Sequence, residues 1–212
     1  MKKFIRVLVA MLAVGVGVAS LRYLNFAIQG VLYSKDAGLL QNIAYRAVFY
    51  AHVVFGVIAL VSGPFQFFPH WRQQRLRWHR ALGKVYVVAC LAGGIAGLLI
   101  AFFATGGLVS SLGFSGLALG WLYSTTRAWR SIRQKNVSAH HRWMIRSFAL
   151  TFAAVTLRIW LPLFTFGFGW PFEPSYRVIS WLCWVPNLLL AEWIIARKNW
   201  TETVPLPANT AL

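Results

Sequence analysis

Six apolar runs, each near the length that carries a helix across a bilayer, alternate with loops that gather most of the basic residues, and this alternation limits the fold more than any other feature. The runs lie at residues 5–27, 43–68, 85–105, 108–129, 148–168 and 178–195. About 20 residues of helix are needed to cross about 30 Å of hydrocarbon, and each run can supply them. Hydrophobic residues make up 58% of the 212 and charged residues only 12%, too few to solubilise a domain of this size. The expected partner is therefore the lipid bilayer. A net charge of +17 might suggest nucleic acid, but here the cations sit between spans and not on a soluble basic face, so no nucleic-acid partner is expected.

The basic loops set the expected topology. Sixteen of the 21 lysines and arginines fall at or before the start of run one, between runs two and three, from the end of run four to the start of run five, or after run six. By the positive-inside rule that side is cytoplasmic, which puts both termini of an inner-membrane protein in the cytoplasm. The fold class read from this pattern is all-α, a polytopic protein of six transmembrane helices with a four-helix core bundle made by spans two to five. It reads as one integral membrane domain, 1–212: first span and outer loop 1–42, core bundle 43–168, last span 169–198, cytoplasmic tail 199–212. The first span reads as an uncleaved anchor, because apolar character continues past Arg22; its rival is a signal peptide, given Lys2-Lys3 and Gly17-Val18-Ala19 before Ser20.

Within the core the chain repeats itself. His79-Arg80-Ala81-Leu82-Gly83-Lys84 opens span three and His141-Arg142-Trp143-Met144-Ile145-Arg146 opens span five, each after an arginine-rich loop. Parallel repeats about an axis along the membrane normal bring the two histidines to one depth on diagonal helices. That geometry suits axial ligation of a b-type haem, with His79 and His141 as the metal ligands and Arg80 and Arg142 near its propionates. The implied role is accessory electron transfer or redox sensing, with a quinone or a redox protein as partner. The same residues also fit a plainer reading, in which solvated histidines sit among interfacial cations.

A stripe of Gly83, Tyr86, Cys90, Gly93 and Gly97 runs above His79 and permits close helix approach, while Ile145, Phe148, Phe152 and Ile159 form a bulky face above His141. His52 lies in the outer half of span two, where an ionisable side chain is costly. It reads equally as a quinone contact, a proton-handling group or a hydrogen-bonded packing residue. With Arg46 and Arg158 it outlines a cavity, and this supports an alternative function as a cofactor-free membrane protein or small transporter. His70 and His140 read as loop or interfacial residues, Glu192 as a partner for Arg146, and the tryptophans near span ends as interfacial belts. Cys90 and Cys183 fall inside spans and read as small packing residues without a disulfide. No G-x-S-x-G, H-E-x-x-H or phosphate-binding glycine loop occurs, so a soluble-type hydrolase or nucleotide enzyme is not expected.

The segments His52 to Gly56, Gly63-Pro64-Phe65-Gln66-Phe67, His79-Arg80-x-x-Gly83-Lys84-Val85-Tyr86 and His141 to Ser147 resemble a bacterial family of membrane proteins catalogued as domain of unknown function 2306. The match covers roughly residues 45–165 and implies a multi-spanning bacterial membrane protein. A looser similarity is to the two-haem cytochrome b ferric reductases, whose four-helix core carries histidines on two diagonal helix pairs. His79 and His141 look like one such pair. His52 has no facing histidine on span four, a departure from that pattern.

Overall fold

The computed structural model describes residues 2–25, 32 and 34–198, with the side chains of residues 2, 3 and 70–72 outside the described set. The described chain is all-helical, without a strand. In order it forms α1 (Lys2–Ser20), a 3₁₀ turn (Leu21–Asn25), α2 (Ala37–Gln41), α3 (Ile43–Ser62), a 3₁₀ turn (Pro64–Phe67) and α4 (Pro69–Gln74). There follow α5 (Leu76–Ala101), α6 (Gly107–Arg133), α7 (Val137–Thr151), α8 (Ala153–Pro162), a π turn (Leu163–Gly167), α9 (Phe172–Leu182) and α10 (Val185–Ala196). The tail expected at 199–212 and the Lys2-Lys3 side chains lie outside the described residues.

Local chemistry sets the boundaries. Asn42 caps α3 by accepting the Tyr45 N–H at 3.1 Å, and Asn136 caps α7 by accepting the Ala139 N–H at 2.8 Å. Pro64 cannot extend α3, so the chain tightens there into a 3₁₀ turn. Between α5 and α6 the backbone turns through Gly106 and Gly107 at φ of 96° and 69°, values that glycine adopts without strain.

Five segments are long and apolar enough to cross a membrane: Phe4–Asn25, Ile43–Phe67, Leu76–Ala101, Val137–Gly167 and Phe172–Ala196. This is a polytopic membrane protein. The expected fourth run is not among the five, because α6, although 27 residues long, is diluted by serine, threonine and glycine. Its polar residues turn inward: Ser110, Ser124, Thr125 and Ser131 are buried. Lipid-facing positions are apolar instead, as at Phe166 (88% exposed) and Ile43 (82%).

The core lies among α3, α5, α6 and α7, where Ala59, Tyr86, Cys90, Trp121, Ala128, Met144 and Leu150 pack together. Small residues let the helices close. A Cβ on Gly93 would stand 3.2 Å from Phe55, one on Gly97 would stand 2.9 Å from His52, and one on Gly63 would stand 2.8 Å from the Phe148 ring. The small stripe of α5 thus closes on α3, at Phe55 and His52, while Phe148 of the bulky α7 face meets Gly63. Cys90 and Cys183 are buried free thiols.

Candidate functional site at the inner end of the bundle

A buried hydroxyl network gives the register of the core. Tyr86 Oη on α5 lies 2.9 Å from both Ser147 Oγ and Thr151 Oγ1 on α7. From α6, Trp121 Nε1 donates to Thr151 Oγ1 at 2.9 Å and Thr125 Oγ1 lies 2.7 Å from Ser147 Oγ. Counting protons fixes the directions. Thr151 donates its only proton to the Ser147 carbonyl, so it accepts from Tyr86; Tyr86 then accepts from Ser147, which accepts from Thr125. The α6 residues 121 and 125 pair with α7 residues 151 and 147, so α6 and α7 are antiparallel. A short turn reverses the chain from α5 to α6, so α5 and α7 run parallel on opposite sides of α6.

This register bears directly on the two histidines. His79 lies seven residues before Tyr86 and His141 six before Ser147. At about 1.5 Å per residue their depths agree to within roughly one residue. Seven residues of α-helix return nearly to the same face, so His79 sits beneath the fully buried Tyr86, and its Nδ1 is shut off from solvent. By the same spacing His141 shares the face of Phe148, while His140 shares that of Ser147 and bonds through Nδ1 to the Ala128 carbonyl of α6 at 2.9 Å. The His140 and His141 rings are 6.1 Å apart.

The 3₁₀ turn Pro64–Phe67 is wedged between the two helices above the histidines. Gln66 Oε1 would stand 3.2 Å from a Cβ on Gly83, one turn above His79, and the Phe67 ring is 5.1 Å from that of Phe148, two turns above His141. Gln66 is buried, and its amide Nε2 has no acceptor among the described residues. Nothing in the local sequence pattern marked this amide, because its setting depends on which helices flank the turn. Arg80 is exposed, and Arg142 donates to Ser138 Oγ at 2.8 Å. The side chain of His70 lies outside the described set.

Of the outer candidates, His52 and Arg158 stand within Coulombic reach of each other. His52 is packed between α3 and α5, its Nδ1 2.9 Å from the Gly93 carbonyl, and Arg46 is exposed on the same helix. Arg158 on α8 donates to the Ala154 carbonyl and to Ser20 Oγ of α1, each at 2.9 Å. The Arg146 and Glu192 side chains meet at 2.6 Å, tying α7 to α10. No group of three or more metal-binding side chains occurs among the described residues.

The comparisons with known proteins agree with a membrane bundle. The family described as predicted membrane protein (DUF2306) matches residues 49–195. The chain belongs to this family. The matched span takes in His52, Gln66, His79, the hydroxyl network and His141. No curated protein and no solved structure matches, so the likeness to ferric reductases rests on the histidine pattern alone.

Proposed function

We propose that the inner end of the bundle holds a b-type haem between His79 and His141, in an accessory electron-transfer or redox-sensing role. The observation that supports this most is the register set by the Tyr86–Ser147 hydrogen bond, from which the two imidazoles come out at equal depth on diagonal, parallel helices. The surrounding chemistry fits. Phe67 and Phe148 offer apolar walls, Gln66 has an amide donor to give, and Arg80 and Arg142, next in sequence to the two histidines, would pair with a haem's propionates. The haem would supply a one-electron iron couple, and a quinone or a redox protein is the natural partner for it. One haem near one face does not by itself carry electrons across the bilayer, which accords with an accessory role.

The reading includes a six-span topology in an inner membrane with both termini cytoplasmic. Parallel α5 and α7 require the connection between them to return across the bundle. α6 makes that return over 27 residues, or about 40 Å at helical rise.

An absorption spectrum of the detergent-purified protein tests the proposal. A Soret band with split visible bands is the expected result. His79→Ala and His141→Ala should each abolish the low-spin spectrum while His52→Ala spares it. A colourless wild-type protein, or a spectrum that depends on His52 alone, overturns the reading.

A further inference from the structure

The outer half of the bundle holds a second polar centre, remote from the inner histidines. α1, α3, α5, α6, α9 and α8 neighbour one another in that order and close a ring, and helices facing each other across it have no extensive contact. Side chains therefore occupy its middle. Arg158 enters from α8 with two of its hydrogen bonds going to the Ala154 carbonyl and Ser20 Oγ. A guanidinium has five N–H groups, so three of them meet no acceptor among the described residues.

No carboxylate pairs with it among the described residues. Of the four carboxylates in the sequence, Glu173 pairs with Arg177, Glu192 pairs with Arg146, Asp36 lies beside Lys35 in the outer loop, and Glu202 is outside the described residues. Its titratable neighbours besides the phenols are Arg22, another cation, and His52. Arg158 is half-buried, and cations within a membrane domain are costly and point to a pathway or a ligand.

Phenols lie in its neighbourhood. Tyr23 and Tyr176 stand within Coulombic reach of Arg158, and Tyr45 within reach of Tyr176. Tyr23 and Tyr45 are 7% and 8% exposed, with their rings 5.8 and 6.5 Å from Phe49; the Tyr176 ring is 5.1 Å from Phe114. None of the three hydroxyls makes a hydrogen bond among the described residues. The rings are thus held by packing while the hydroxyls remain without partners. The set consists of one uncompensated cation and three phenolic donors from three different elements, lined by aromatic carbon. Such a set asks for an acceptor that is anionic, small at the head and apolar behind it.

We propose that this centre binds the oxyanion head group, carboxylate or phosphate, of an apolar-tailed amphiphile entering from the outer leaflet, with Arg158 as its charge partner and Tyr23, Tyr45 and Tyr176 as donors. The site lies at the opposite end of the bundle from the haem reading and does not depend on it.

The test uses the full chain in neutral maltoside detergent with radiolabelled dodecanoate and dodecanol, read without any chromophore. Dodecanoate should bind saturably and dodecanol at least about tenfold more weakly, the worth of a charge-assisted hydrogen bond. Arg158→Gln should weaken dodecanoate by about 10- to 100-fold and Tyr176→Phe by less, while the exposed Arg46→Gln leaves it unchanged. Competition by phosphatidylglycerol but not phosphatidylcholine identifies a phospholipid as the natural source; dodecanoate binding that resists both identifies a free carboxylate. Equal binding of dodecanol and dodecanoate, or no saturable binding, overturns the proposal, and this wild-type comparison decides even where a variant fails to fold. Arg158→Gln that elutes as the wild type does and binds with wild-type affinity overturns it too.

Discussion

Tyr86 joins three helices through one oxygen: it donates to Thr151, accepts from Ser147, and through them reaches Thr125 and Trp121. Losing that oxygen leaves Ser147 without its acceptor and Thr151 with the Trp121 donor alone in a buried site, so Tyr86→Phe should cost about 1–2 kcal/mol. Thermal unfolding in detergent reads the loss as a lower midpoint. Because Tyr86 and Ser147 share the bond, the Tyr86→Phe, Ser147→Ala pair should be non-additive, and simple additivity would show that the network is not coupled. Gly97 exposes a different kind of constraint. A Cβ there would stand 2.9 Å from the His52 ring, which is fixed by its bond to the Gly93 carbonyl. Gly97→Ala should therefore destabilise by about 1–3 kcal/mol, the usual cost of overpacking; removing the ring as well, in Gly97→Ala with His52→Ala, should recover part of it. If the single variant melts with the wild type, the close α3–α5 contact is wrong.

Helix seams here are set by what is absent from side chains as much as by what is present. α6 meets α9 at Gly113, where a Cβ would stand 2.5 Å from Ser180 Oγ and 2.9 Å from the Ser180 carbonyl oxygen. Backbone cannot retreat as a side chain can, so Gly113→Val should separate the two helices and lower the unfolding midpoint more than Gly97→Ala does. Engineered cysteines at Gly116 and Trp184, whose ring carbon lies 3.4 Å from a Cβ on Gly116, would report the separation as slower crosslinking. The elements themselves were largely legible in the sequence. Runs of apolar residues between basic loops mark the long helices through local chemistry. The break between α7 and α8 at Phe152 was not legible, since the apolar run passes through it without a glycine or proline. The Cys183-Trp184 break between α9 and α10 carries only the hint of Pro186. Nor did α6 declare how polar its inward face is: Thr125 finds its partner on α7, Ser124 and Ser131 turn back to α6 carbonyls, and Ser110 meets no partner among the described residues.

Assembly of the whole bundle decides which sequence signals become sites. The equal depth of His79 and His141 was legible because a repeat in one chain direction fixes depth by counting. Their faces were not, since His140 and His141 are adjacent in sequence and only packing against α6 assigns His140 to that helix. The Tyr23, Tyr45, Tyr176 and Arg158 cluster was still less legible, as it draws on the ends of four elements that meet only when six helices close a ring. The same closure yields a test of topology. Since α5 and α7 are parallel and level, the turn at Gly106 and the turn at Gln134 must lie at opposite ends of α6. A reporter active only in the periplasm, inserted after Gly106, should give signal, and the same reporter inserted after Gln134 or fused after Leu212 should be silent. The cations agree, with Arg127, Arg130, Arg133 and Lys135 at the Gln134 end and none between Lys84 and Arg127. Signal from both insertions would mean that α6 does not cross, and the five apolar segments would then have to be threaded without it.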